Sequence, residues 1–160
     1  MSCPTPRNSS SRCAARTIIA PFDAGLTDRN RETLGFDTGF FVRLLESDPR
    51  AAEIWQAIEA GEVAGVISCI TLFELIRIGL RGALSRESTE ELTQLIPGVC
   101  TVVWLTEPTL LHDAARLAHG HHFSMADAVI LISLRRAGAD TIYTTDADLV
   151  RYRRAEIRRL

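Results

Sequence analysis

Lysine is absent from this chain of 160 residues, and all 18 basic residues are arginine. The absence excludes a Walker P-loop, whose phosphate-binding loop needs a lysine after its glycines. It also argues against a receiver domain. Receiver domains place an acidic Mg²⁺ pocket on a similar α/β frame, but their pattern requires a lysine that this chain lacks. Two common classes of phosphate-handling protein are thereby removed.

Paired cysteines and long hydrophobic runs are lacking as well. The four cysteines, Cys3, Cys13, Cys69 and Cys100, include no CxxC pair. Cys69 and Cys100 lie in apolar runs and are predicted to be reduced thiols in the core. The longest run without charge, residues 92–106, has 15 residues and contains a proline, which is too short to span a bilayer. We therefore expect a cytoplasmic protein.

The charge is unevenly distributed along the chain. The formal net charge is −2, yet residues 135–160 hold seven arginines against four acids. Such a basic end predicts a surface that faces phosphates or an acidic partner, or else a solvated arginine-rich tail. Residues 1–31 are rich in Ser, Pro and Arg and have little to bury, which predicts a disordered extension. Residues 32–160 are then the folded domain.

Short apolar runs alternate with helical patterns from residue 33 onward. Their nearly continuous hydrophobicity is typical of strands in a sheet that is covered on both faces. Strand and helix alternation at this spacing predicts an α/β fold with a mostly parallel sheet and right-handed crossovers. The predicted strands are residues 33–37, 63–68, 100–105 and 140–145, with a short edge strand at 155–160.

Several residues indicate where the helices begin and end. Gly61 and Gly138 sit where C-terminal caps belong. Ser88 fits a capping box that opens one helix, and Thr106 is the predicted cap of the next. These positions give the structure specific boundaries to test.

The triplet Asp37-Thr38-Gly39 permits two interpretations. Aspartic proteases carry the same triplet at their catalytic carboxylate, within an all-β fold. Here it leads into residues 40–45, whose apolar positions suit a helix. We therefore interpret Asp37 as the residue that ends the first strand of an α/β sheet, and not as the catalytic carboxylate of an aspartic protease.

Four acidic residues are predicted to lie near the carboxyl ends of strands, where open α/β sheets bind ligands. Asp37 ends the first strand and Glu74 follows the second. Asp127 begins the helix that leads into the fourth strand, and Asp146 follows that strand.

Each of these acids also has a local explanation. The first and the last can cap helices. Asp127 can close a capping box with Ser124, and Glu74 can pair with Arg77 one turn later. Taken one at a time, these explanations stay open.

Taken together, converging carboxylates need a compensating cation. Burying unpaired ions costs several kcal/mol each. A set of hard oxygen ligands without Cys or His selects Mg²⁺ or Mn²⁺. Such ions suit hydrolysis of phosphodiesters, because they activate water and neutralise charge on the leaving oxygen.

Four segments of the chain, in their order along it, resemble those of the PIN-domain nucleases. They are "GFDTGFF", "SCITLFELIRIG", "SMADAVILISLRRAG" and "TIYTTDADL". They look most like the VapC toxins of VapBC toxin–antitoxin pairs. The resemblance implies an α/β/α sandwich with a mostly parallel sheet of four or five strands. It also implies Mg²⁺ or Mn²⁺ as cofactor, single-stranded or loop RNA as substrate, a homodimer, and a protein antitoxin as partner.

The resemblance also assigns roles by position. The four acids would be the catalytic, metal-binding quartet: Asp37, Glu74, Asp127 and Asp146. Thr144 would support the last acid, and Asp148 would be an outer acid or only an exposed residue. Two departures leave the choice of substrate open: the long N-terminal extension, and Thr145 where the family often has a basic residue.

Two further groups have more than one reading. His119, His121 and His122 suggest either a zinc site or a helix end with cationic side chains. Arginines near the last helices are candidates for flanking the acidic pocket and meeting RNA phosphates: Arg135, Arg136, Arg151, Arg153 and Arg154. As alternatives to a toxin, an RNA-processing nuclease without antitoxin and a catalytically idle module that binds RNA or a partner both remain open.

Overall fold

The computed structural model describes residues 31–150, 152 and 155–160. The predicted N-terminal extension lies outside the described residues, apart from Arg31. The side chains of Arg151, Arg153 and Arg154 also lie outside them.

Five strands form one sheet in the described part of the chain, and every pairing between them is parallel. The spatial order is β3-β2-β1-β4-β5. The strands are β1 (Thr33–Phe36), β2 (Ala64–Ser68), β3 (Cys100–Val103), β4 (Thr141–Thr144) and β5 (Glu156–Arg159). The α/β prediction is confirmed, including the short edge strand at the C-terminal end.

Seven helices alternate with these strands in the described residues. They are α1 (Thr38–Leu45), α2 (Pro49–Glu59), α3 (Cys69–Leu80), α4 (Arg86–Val99), α5 (Pro108–His121), α6 (Met125–Arg136) and α7 (Ala147–Val150). None of them is long and apolar enough to cross a membrane.

Two apolar cores lie on the two faces of the sheet. Side chains from α1 to α4 form one core, with Phe40 and Trp55 among its members. Side chains from α5, α6 and α7 form the other, with Leu131 among them. Val66 and Ile67, successive residues of β2, belong to opposite cores, as the alternation of side chains along a strand requires. The sheet is therefore the middle layer of an α/β/α sandwich.

The helix boundaries agree with the sequence in part. Gly61 and Gly138 follow α2 and α6 with φ of 75° and 78°, a conformation that favours glycine, so both predicted C-terminal caps are confirmed. The helix expected to open at Ser88 begins earlier, because the side chain of Ser85 accepts a hydrogen bond from the Ser88 backbone N–H. The prediction for Thr106 is wrong as well: α5 begins at Pro108, whose fixed φ suits a first helical position.

Cys69 and Cys100 are both free. Cys100 is buried, and burial raises the pKa of its thiol to about 12. The predicted core position is confirmed for Cys100 but is wrong for Cys69, which is partly exposed.

Candidate acidic site

Three parallel strands deliver acidic residues to one edge of the sheet. Asp37 directly follows β1, α3 begins directly after β2, and Asp146 comes two residues after the end of β4. Because β2, β1 and β4 are adjacent and parallel, their carboxyl ends meet at the same edge.

Asp37 is the most buried of these acids, with 6% of its surface exposed. It caps α1, since its Oδ1 accepts a hydrogen bond of 3.0 Å from the Phe40 backbone N–H. Burial raises the pKa of Asp37 to about 6. The negative charge of Asp146 raises the pKa further, while hydrogen bonds from Thr144, Phe40 and Gly39 oppose the rise.

Thr144 connects Asp37 to Asp146. Its hydroxyl is fully buried, donates to Asp37 Oδ2 and accepts a 2.9 Å hydrogen bond from the Asp146 backbone N–H. Asp146 Oδ1 in turn accepts a 2.7 Å bond from the Asp148 backbone N–H, so Asp146 caps the short helix α7. One hydroxyl therefore fixes the positions of the first and last acids relative to each other.

Glu74 joins this arrangement through Thr38. The Thr38 hydroxyl donates to Glu74 Oε2, which ties the first turn of α1 to the second turn of α3. No ion pair with Arg77 forms among the described residues, so the local alternative for Glu74 is not what the structure shows.

Asp127 forms its hydrogen bonds within its own helical turn. The Ser124 hydroxyl accepts from the Asp127 N–H at 3.1 Å and lies 2.6 Å from Asp127 Oδ2, to which it donates. The capping interpretation is therefore correct locally. Further along α6, Ser133 lies 3.4 Å from Ser68 at the carboxyl end of β2. The turn that carries Asp127 lies about 9 Å further along the axis, at 1.5 Å per residue, on the side of the acidic edge.

Gly39 and Thr145 approach each other closely at the same edge. A methyl group added at Gly39 would overlap the Thr145 hydroxyl oxygen and lie 3.0 Å from Thr145 Cβ. The small residue in the first turn of α1 thus allows the turn after β4 to pack directly against it. This contact helps to hold the segment of Asp37 beside the segment of Asp146.

The donor chemistry of this edge fits a hard divalent cation. The edge offers carboxylate and hydroxyl oxygens, which are the atoms that such a cation binds. A cation would also relieve the repulsion between Asp37 and Asp146, which contributes to the raised pKa of Asp37. Within residues 31–150, 152 and 155–160, however, no three His, Cys, Asp or Glu side chains are grouped closely enough to form a metal site as they stand. The structure brings Asp37 and Asp146 together, links Glu74 to them through Thr38, and leaves Asp127 hydrogen-bonded to Ser124.

The histidines near residue 120 occupy a helix end. His119 and His121 lie in the last turn of α5, and His122 follows it in the left-handed conformation with φ of 57°. The predicted position at a helix end is confirmed, and among the described residues these histidines belong to no group of three His, Cys, Asp or Glu that could hold a metal ion.

The arginines at the end of α6 have partners other than the four acids. Arg136 pairs with Asp113 at 2.7 Å and with Glu107 at 3.3 Å, both of α5. Arg135 donates to the Tyr152 hydroxyl at 2.6 Å. Eight residues separate Arg135 from Asp127, or about 12 Å along the helix. No hydrogen bond or ion pair joins either arginine to the four acids among the described residues, and the expectation that they flank the pocket stays a prediction.

The sequence did not reveal Thr38, or the contact of Gly39 with Thr145. Both depend on how α1 packs against α3 and against the turn after β4, which are distant in sequence. The only local signal is the position of Thr38 directly after Asp37.

The model of the PIN domain family matches residues 36–155. Similar solved structures include a toxin–antitoxin complex from Klebsiella pneumoniae, with 19% identity, a TM-score of 0.59 and coverage of 75% of this chain and 92% of that one. VapC20 of Mycobacterium tuberculosis, described as a Sarcin-Ricin loop cleaving toxin, has 23% identity, a TM-score of 0.57 and coverage of 72% and 91%. DNA-bound VapBC from Salmonella typhimurium has 16% identity, a TM-score of 0.62 and coverage of 80% and 98%. No curated protein matches the chain in sequence. At these identities the likeness is one of fold.

Proposed function

The chain belongs to the PIN domain family, and from that premise we propose that it is a Mg²⁺- or Mn²⁺-dependent endoribonuclease, the toxin of a toxin–antitoxin pair in the cytoplasm. Its catalytic and metal-binding residues would be Asp37, Glu74, Asp127 and Asp146. Thr144 would position two of them.

The observation that carries the proposal is the bridge from Asp37 through the Thr144 hydroxyl to Asp146. A structural cap needs neither a second carboxylate nearby nor 94% burial, and placing a half-buried acid beside a buried one is unfavourable without a cation. A site that raises the pKa of one acid by desolvation and charge repulsion is a candidate for function.

The residues of the chain have distinct tasks in this proposal. With a pKa of about 6, Asp37 is mostly ionised at pH 7 and available as a ligand. Thr144 holds its carboxylate in one orientation, and Thr38 does the same for Glu74. When bound, the ion would lower the pKa of a water molecule and neutralise charge on the leaving oxygen. Asp127 would have to give up its bond with Ser124, or share it, to join the ligands.

The surface offers apolar area for protein partners. Phe73, Ile76 and Leu80 follow one face of α3 and are 61%, 47% and 63% exposed. Trp104 and Met125 are 60% and 77% exposed elsewhere. Exposed apolar surface of this kind marks interaction sites, and we assign it to a protein antitoxin and to a second copy of the chain. The toxin–antitoxin complexes among the structural neighbours support the first assignment.

Induced expression in a bacterial host tests the toxin assignment. The parent should arrest growth, and sequencing of RNA ends should show new 5′ ends at one motif. Asp37→Asn should abolish both. Asp48→Asn is the matched control, because Asp48 caps α2 as Asp37 caps α1 and lies outside the acidic edge.

The same experiment separates the alternatives. If the parent cuts RNA but does not arrest growth, an RNA-processing nuclease replaces the toxin. If it neither arrests growth nor cuts RNA, the idle binding module becomes the better account.

A further inference from the structure

An open cavity of about 240 Å³ lies between α5, α6 and Tyr152, the second residue after α7. It belongs to the face of the sheet opposite α1, α2 and α4, and the acidic edge does not contribute to its lining. Its walls include two arginines and a histidine: Arg116, Arg135 and His121.

The charge of this cavity is positive on balance. Its acidic wall residue, Asp113, is ion-paired with Arg136, which holds the pKa of that carboxyl below its usual range. Arg116 and Arg135 form no ion pair with any residue that the structure describes. Two guanidinium groups therefore face the cavity without a bound carboxylate.

Contacts with Tyr152 hold two of the wall residues in place. Tyr152 is 3% exposed, and its hydroxyl accepts the 2.6 Å bond from Arg135. Its ring lies edge-on to His121, with centroids 5.2 Å apart, and His121 stacks on Phe123 at 5.6 Å. A fixed guanidinium and a supported aromatic ring are the groups that bind phosphates and bases of single strands.

The cavity lies along α6, the helix whose first turn carries Asp127. Its His121 end lies four residues before Met125, where α6 begins, and Asp127 is in the first turn of that helix. Its Arg135 end lies about 12 Å along the axis from Asp127. A single strand cut at the acidic edge could therefore continue through the cavity.

We propose that this cavity is a second RNA subsite, in which Arg116 and Arg135 bind backbone phosphates of nucleotides next to the cleavage point and His121 stacks on a base. The inference rests on the proposed function, since it concerns the same substrate.

The salt dependence of RNA binding tests this subsite. Binding of a short fluorescent single-stranded RNA to the full chain is measured by anisotropy in EDTA, over a series of KCl concentrations. For single strands each phosphate contact contributes about 0.7 to the slope of log affinity against log salt. Arg116→Ala and Arg135→Ala should each reduce the slope by about 0.7, and the double variant by about twice that.

Two controls separate the subsite from general charge and from folding. Arg86→Ala also removes one positive charge, but Arg86 lies in α4, on the opposite face of the sheet from the cavity, and pairs with Glu90. The salt slope of RNA binding by this variant should therefore equal that of the parent. Arg135→Lys keeps the charge but loses the planar fork, so it should keep the slope and weaken the affinity. Circular dichroism of each variant confirms that it is folded.

The outcomes are distinct. If the parent binds RNA and the slope is unchanged in Arg116→Ala and Arg135→Ala, the subsite is wrong while the nuclease proposal stands. If labelled polyglutamate binds more tightly than the RNA and depends on the same two arginines, the cavity recognises an acidic protein segment and the assignment to RNA is overturned. If the parent neither binds nor cleaves RNA, the proposed function fails and the subsite with it.

Discussion

At the scale of single residues, the burial of Asp37 makes a prediction about stability and pH. Its pKa rises from the usual 3.8 to about 6 on folding, so the ionised carboxylate opposes folding. Stability of the metal-free protein should therefore fall as pH rises from about 4 to about 6 and stay reduced above that. This difference in pKa between the unfolded and the folded protein corresponds to roughly 3 kcal/mol of stability.

Asp37→Asn should remove this cost. In EDTA at pH 7 the variant should be more stable than the parent in urea unfolding. The gain in the free energy of unfolding should be at most about 3 kcal/mol, and it is reduced by the cost of altering the hydrogen bond with Thr144. At pH 4 the two should converge. Excess Mg²⁺ should stabilise the parent by mass action and the variant much less. A variant that is less stable than the parent at pH 7 would mean that Asp37 serves folding and not a cation.

The contact between Gly39 and Thr145 makes a second prediction at this scale. Gly39→Ala places a methyl group against the Thr145 side chain. Such overpacking typically lowers the free energy of unfolding by about 1–3 kcal/mol, because the neighbours must move. We expect weaker Mg²⁺ binding, measured by calorimetry, because the turn that carries Asp146 must move.

The compensating change is Thr145→Ala, which removes the overlapping hydroxyl. The double variant should recover most of the stability and metal affinity lost in Gly39→Ala. Equal losses in the single and double variants would show that the two residues do not act together.

At the scale of elements, two serines near the start of α4 could each cap the helix, and the structure assigns the cap to Ser85. The Ser85 side chain accepts from the Ser88 N–H at 3.3 Å, and loss of an N-cap costs about 0.5–2 kcal/mol. Ser85→Ala should therefore lower the free energy of unfolding by about 1 kcal/mol, measured in urea. Ser88→Ala, the matched control within the first turn, should change it by less than half as much. A larger loss of stability in Ser88→Ala than in Ser85→Ala would mean that the helix begins at Ser88, as the sequence pattern predicted.

Periodicity predicted the elements better than their ends. The strands were identified because each is a short apolar run, and β2, for example, sends Val66 to one core and Ile67 to the other. The start of α4 was missed because "SRESTEE" contains two serines that can cap a helix. Which serine caps depends on the path of the chain from α3, and that path is set by packing.

At the scale of the whole molecule, parallel topology explains why acids distant in sequence meet. Asp37 and Thr144 are separated by 107 residues and joined by a hydrogen bond, because β1 and β4 are neighbours. The order of the strands was not predictable from the pattern, so the sequence indicated which edge carries the acids but not which pairs touch. It did not reveal that Arg136 pairs with Asp113 and Glu107, or that Arg135 donates to Tyr152, because these contacts depend on how other elements pack against α6. The expectation of a dispensable extension at residues 1–31 stays a prediction.

Cleavage of RNA by the purified protein tests the central claim most directly. The parent is incubated with total cellular RNA in Mg²⁺, in Mn²⁺ and in EDTA, beside Asp37→Asn and the capping control Asp48→Asn, and the products are resolved on a denaturing gel. We predict discrete fragments from the parent and from Asp48→Asn with either ion, and intact RNA from Asp37→Asn and in EDTA. Equal cleavage by the parent and Asp37→Asn, or cleavage that persists in EDTA, would contradict the assignment of the acidic edge as a metal-dependent nuclease site.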